Sequence, residues 1–131
     1  MSYLLNFEHR GSYIYITVTG ENSSENIIHY LAEVRALCEQ YKYTDVLIVE
    51  NLGGPGMDKF SIFNIISKVS EQTIKVIKNI TYVDINPAHN RDEMIFAETV
   101  AVNRGVNVQI FKTIHAAERW VEKQGKPGGK G

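Results

Sequence analysis

The sequence predicts an α/β domain built on a five-stranded mixed sheet with about four helices, in the order ββαβαβαβα. Three observations lead there. An apolar run followed by an amphipathic helix recurs along the chain. The first two runs are joined only by His9-Arg10-Gly11-Ser12, a turn too short for parallel pairing, so they form an antiparallel hairpin. The later runs return through helices, which makes their strands parallel with right-handed crossovers.

Tyr3 to Glu8 is the first strand. From Tyr13 to Thr19, Tyr13, Tyr15, Thr17 and Thr19 alternate with Ile14, Ile16 and Val18, the period of a half-buried strand. Tyr13 and Tyr15 lie on its more polar side, to be covered by a helix or to form a dimer edge. Gly20 ends the strand. Asn22 caps a helix from Ser23 to about Tyr41, with Glu25 completing a capping box. Ile27, Leu31, Val34, Cys38 and Tyr41 mark its apolar face, while His29, Glu33, Arg35 and Glu39 read as solvated surface.

Asp45 to Glu50 contains the uniformly apolar Val46-Leu47-Ile48-Val49, as a central strand covered on both faces requires. Gly53-Gly54-Pro55-Gly56 breaks it. This loop lacks the Gly-Lys-Ser/Thr ending of a phosphate-binding loop and is read as a flexible turn. Asp58 caps a helix from about Lys59 to Ser70, whose apolar side is broad enough to meet more than the sheet.

Asn79 to Ile85 is the next strand, stopped by Pro87. Asn90 caps the following helix, Glu93 completes a second capping box and Gly105 closes it. Arg104 is placed at the carbonyls of the helix end or across the rim beside Glu98 or Asp84. Val106 to Phe111 is the last strand. Thr113 caps a final helix with Ile114, Ala117, Trp120 and Val121 facing inward; His115 and Glu118 decorate its exposed side.

With 131 residues, the chain is expected to form one domain over 1–123, followed by a disordered Gly/Lys/Pro tail over 124–131. A hydrophobic content of 44% and a charged content of 22% suit an ordinary globular protein. The formal net charge of −1 supplies no basic field for nucleic acid. The single cysteine, Cys38, cannot form an internal disulfide and is read as packing rather than as a nucleophile. The N-terminus has neither the basic region nor the apolar stretch of a signal peptide, and no segment reaches the roughly 20 apolar residues of a membrane span. The expectation is a cytoplasmic protein without a transmembrane segment.

In open α/β sheets ligands meet the loops at the carboxyl ends of the strands. That rule selects Glu50, Asn51, Asp84, Asn86 and His89 as rim binding candidates. Two carboxylates there could bind a cation, or one could hold a raised pKa for proton transfer, with His89 nearby. No complete catalytic constellation and no spacing such as His-x-x-x-His occurs, so no catalytic residue, metal or cofactor is assigned.

Val18-Thr19-Gly20-Glu21-Asn22, Val46 to Leu52, Tyr82-Val83-Asp84-Ile85-Asn86-Pro87 and Phe96 to Val108 carry a resemblance that extends to about Glu122. On these phrases the chain resembles the SpoIIAA-like family, STAS and SEC14 domain-containing proteins with the fold of anti-sigma-factor antagonists, in an uncharacterised bacterial branch. The resemblance implies a small regulatory or ligand-binding module rather than an enzyme. Anti-sigma-factor antagonists carry a phosphorylatable Ser after an Asp at the start of the second helix. Here Met57-Asp58-Lys59-Phe60-Ser61 keeps the Asp, but Lys59 and Phe60 replace the hydroxyl residues and the following Gly is absent. The phosphoswitch is therefore not carried over. Ser61 stays a candidate phosphosite because a first helical turn stabilises phosphate.

Three functions follow as expectations. The first is a non-enzymatic STAS-like module acting by protein or small-ligand contact, with Phe60 and Phe63 as its partner surface. The second is a SEC14-like binder of an apolar ligand or lipid. The third is an enzyme using a Glu50, Asp84 and His89 rim site. A homodimer through the hairpin edge or the second helix is compatible with each.

Overall fold

The computed structural model describes residues 2–124; the tail expected from 124 onward lies outside them, apart from Gln124. β1 (Tyr3–His9) pairs antiparallel with β2 (Ile14–Glu21), and β2, β3 (Asp45–Gly53), β4 (Asn79–Asp84) and β5 (Val108–Phe111) follow in parallel. The strand order is β1-β2-β3-β4-β5. The helices are α1 (Ser24–Tyr41), α2 (Lys59–Ile74), α3 (Arg91–Asn103) and α4 (Ile114–Gln124). Class, mixed sheet and element order are those the sequence predicts.

Right-handed crossovers that always step the same way across a sheet put their helices on the same face. Here α1, α2 and α3 connect β2 through β5 and share one face, whereas α4 follows the edge strand and folds back over the other. The alternation of β3 divides its side chains accordingly. Val46, Ile48 and Leu52 join Ile14, Ile16 and Val18 of β2 beneath α1, and Leu47 and Val49 join Tyr13 and Val83 beneath Ala117 and Val121 of α4. Tyr13 and Tyr15 are thus covered by a helix, with the Arg10 guanidinium 4.0 Å above the Tyr15 ring and 3.3 Å from Glu118.

Local signals hold in most places. Asp58 accepts the Ser61 N–H at 2.7 Å, Asn90 that of Asp92 at 2.8 Å, and Thr113 that of Ala116 at 3.1 Å. Gly105 takes a left-handed φ of 87° past the end of α3. Gly20 has φ 139°, and a Cβ there would lie 2.8 Å from the Tyr3 backbone, so the hairpin needs glycine.

Other expectations need correction. Ser23, not Asn22, caps α1 by accepting the Asn26 N–H; the Asn22 amide instead donates to the Pro55 carbonyl at 2.8 Å. The sheet-facing line of α1 is Asn26, Tyr30, Val34 and Cys38, because the helix meets both the sheet and α2; Ile27 and Leu31 are half-buried and Tyr41 is exposed. Helix α2 continues to Ile74, β3 to Gly53, and β5 begins only at Val108. Trp120 is partly exposed beside Phe111, while Ala117 and Val121 face inward. Arg104 sits over the Phe63 ring at 4.6 Å instead of reaching Glu98 or Asp84.

Candidate functional site: a cavity closed by a buried carboxyl

Between the sheet and the α1–α3 layer lies an apolar cavity of about 190 Å³. It exists because α2 packs on α1 and α3 rather than on the strands, leaving the middle of the layer unfilled. Ile48, Ile80, Val108 and Ile110 line it from the sheet, Ile27, Leu31 and Val34 from α1, Ile62, Ile65, Ile66 and Val69 from α2, and Met94, Ala97 and Ala101 from α3.

Glu50 projects from β3 into this wall and is only 4% exposed. Its neighbours explain how a carboxyl survives there. The Tyr30 hydroxyl of α1 donates to one carboxyl oxygen and the Tyr82 hydroxyl of β4 to the other. Burial nevertheless pushes the Glu50 pKa from 4.5 up to about 7, against the two hydroxyl bonds and the nearby His89, which lower it; the Asp84 charge adds to the rise. Burial also raises Tyr30 and Tyr82 well above the ordinary phenol range, so both act as donors at neutral pH.

Asp84, the register partner of Glu50 across β3 and β4, makes a separate pair with His89. Asp84 Oδ2 lies 2.6 Å from His89 Nδ1, and their side chains are 5% and 6% exposed. His89 Nε2 lies 3.0 Å from the Gly54 carbonyl oxygen. An imidazole donates to both only when protonated. Burial works to lower the His89 pKa, but Asp84, the Gly54 carbonyl and the Glu50 charge outweigh it and hold it above the ordinary value. Asn86 completes the junction: its amide donates to the Leu52 carbonyl at 2.7 Å and its oxygen accepts the Ala88 N–H at 2.9 Å. The loop after β4 is thereby tied to the loop after β3.

Of the five rim candidates, the structure brings Glu50, Asp84 and His89 to the cavity. Asn86 serves the loop junction. Asn51 is exposed and absent from the cavity wall, because the strand alternation turns it away from the face that Glu50 occupies. Glu50 engages tyrosines and Asp84 engages His89, so the three do not form one acid–base chain. On α2, Phe60 is 76% exposed and Phe63 is partly covered by Arg104. Ser61 holds the third position of α2 beside its Asp58 cap. Among the described residues no group of three or more His, Cys, Asp or Glu is placed to hold a metal ion, and no helix is long and apolar enough to cross a membrane.

Sequence reasoning missed Tyr30, Tyr82 and Arg35. Tyr30 had a usable signal, since it lies four residues before Val34 and eight before Cys38. Arg35 is not surface decoration paired with Glu39: it lines the cavity, and its buried Nη1 has no hydrogen-bond partner among the described residues. In comparisons with known proteins, no family model matches the chain and no curated protein matches it.

Proposed function

We propose that this protein is a non-enzymatic module that binds a small, mainly apolar molecule in the cavity beneath α2, with the polar end of that molecule at Glu50. The observation that carries this reading is an apolar cavity ending on a buried carboxyl bracketed by Tyr30 and Tyr82. Such a lining, apolar with a few convergent polar groups, is the usual make-up of a small-molecule site. The volume favours a one-ring body, since a cavity of about 150 Å³ holds benzene. A two-chain lipid needs far more room, which narrows the SEC14-like alternative to its apolar-ligand form. The resemblance to SpoIIAA-like proteins supports a regulatory or ligand-binding role. In this reading Asp84 and His89 are a clasp between loops, because both ring nitrogens already have partners.

The test is methyl-resolved NMR with benzyl alcohol as the probe. Shifts concentrated at Val34, Ile48, Ile66 and Val69 are expected, and their loss on narrowing the cavity with Ala97→Phe. Shifts spread over the surface, or none, would overturn the reading. A second reading, contact with a protein partner through α2, is supported by the exposure of Phe60. A partner complex that survives Phe60→Ser unchanged would count against it.

A further inference from the structure

The chemistry around Glu50 identifies the class of molecule the cavity takes, an inference that rests on the cavity being a binding site. Glu50 has no cation of its own: the ion pairs among the described residues are Arg10 with Glu8, Arg10 with Glu118, and His89 with Asp84. A buried carboxylate ordinarily requires a cationic partner as well as hydrogen bonds. Here the hydrogen bonds are present, and the nearest cation, His89, is engaged by Asp84. Tyr30 and Tyr82 fix one carboxyl oxygen each, leaving every oxygen a further lone pair for a donor arriving from the cavity. The other charged groups of the cavity wall are Asp84, held by His89, Glu93 and Glu98 on α3, and Arg35 on α1.

We propose that the ligand is a primary amine carrying a one-ring apolar body, its ammonium group seated on the Glu50 carboxylate between Tyr30 and Tyr82 and its ring in the apolar cavity. The ammonium supplies the missing positive charge and donates charge-assisted hydrogen bonds to the free lone pairs. Arg35 also lines the cavity, but among the described residues no ion pair joins it to Glu50. Seating a cation also draws Glu50 into its ionised form. The groups facing it are Tyr30 from α1, Tyr82 and Asp84 from β4, and His89 from the following loop. The tyrosines stay protonated at neutral pH, so Glu50 and His89 are the facing groups that can release a proton on binding.

Calorimetry at pH 7 with benzylamine, benzyl alcohol and benzoate separates the possibilities, run in two buffers of different ionisation enthalpy on the full chain. Benzylamine should bind at least about tenfold more tightly than benzyl alcohol, with proton release to the buffer. Glu50→Gln should abolish that preference for benzylamine over benzyl alcohol. Benzyl alcohol binding as well as or better than benzylamine would overturn the amine assignment and leave the cavity reading standing. Benzoate binding in place of benzylamine would overturn it in favour of an anion at Arg35. Failure of all three probes would remove the cavity reading itself. If Glu50→Gln does not fold, the wild-type ranking still decides, and benzyl alcohol binding as tightly as benzylamine would overturn the proposal.

Discussion

The two faces of the sheet are built from the same strands yet packed to different ends. Beneath α4, Leu47, Val49, Val83, Ala117 and Val121 form a closed apolar cluster with Tyr13. Beneath α1–α3, the alternate residues of the same strands include Glu50 and Tyr82, and a cavity remains. One helix laid directly on three strands can interdigitate with them; α4 contacts β3, β4 and β5. Three helices sharing one face also pack on each other, and α2 is held by α1 and α3. The closed face therefore supplies stability, and the open face is where stability has been given up for an interior polar group.

The largest expected effect lies on the closed face. Leu47→Ala, at a fully buried position, should lower unfolding free energy by about 4 kcal/mol, read by urea denaturation. A loss below about 1 kcal/mol would mean that this face is as loosely packed as the other.

Next in size is a pH effect confined to the open face. The Glu50 pKa is 4.5 in its ordinary state and about 7 in the fold. Between those values the folded protein holds a proton that the unfolded chain has lost, so stability falls as pH rises through that window. The full contribution is about 3 kcal/mol, present below pH 4.5 and lost above about 7. Denaturation across pH 5 to 8 should show the slope in the wild type, and Glu50→Gln should reduce it to the part above about pH 6.5 that His89, whose pKa is also raised, contributes.

The same substitution on the two faces should then give different answers. Ala117→Leu, under α4 where exposure is 0%, should cost about 2 kcal/mol through overpacking. Ala97→Leu, which projects beside the cavity, should stay within about 1 kcal/mol of wild type. Equal losses in thermal or urea unfolding would erase the distinction between the faces.

Smaller still is Thr81→Val. The Thr81 side chain is buried and its hydroxyl has no partner among the described residues, so removing it should stabilise by about 1 kcal/mol. Phe60→Ser, at an exposed site outside both clusters, should change stability by no more than about 0.5 kcal/mol.

The fold was legible to different depths in different places. Capping by Asp58, Asn90 and Thr113 was readable because a cap is a contact within a few residues. The cap of α1 was misread by one position because Asn22 has a distant partner, Pro55, that no local rule contains. Glu50 and Asp84 were singled out from their place at strand ends and His89 from the loop after β4, and the structure lays all three at the cavity. Tyr30 and Tyr82 were not singled out, since each meets Glu50 from a remote part of the chain. The uniformly apolar Val46–Val49 also concealed which face Glu50 would take: a strand buried on both sides shows no alternation to read.

By itself the sequence determined the order of elements, the antiparallel hairpin and the end of the sheet where polar loops gather. Those features follow from local periodicity, turn length and crossover handedness. Only the tertiary structure decided that Glu50 faces the three-helix side, that two tyrosines close upon it and that α2 stands off the strands. These depend on strand register and on how helices compete for one face, and both are set by contacts between residues far apart in the chain.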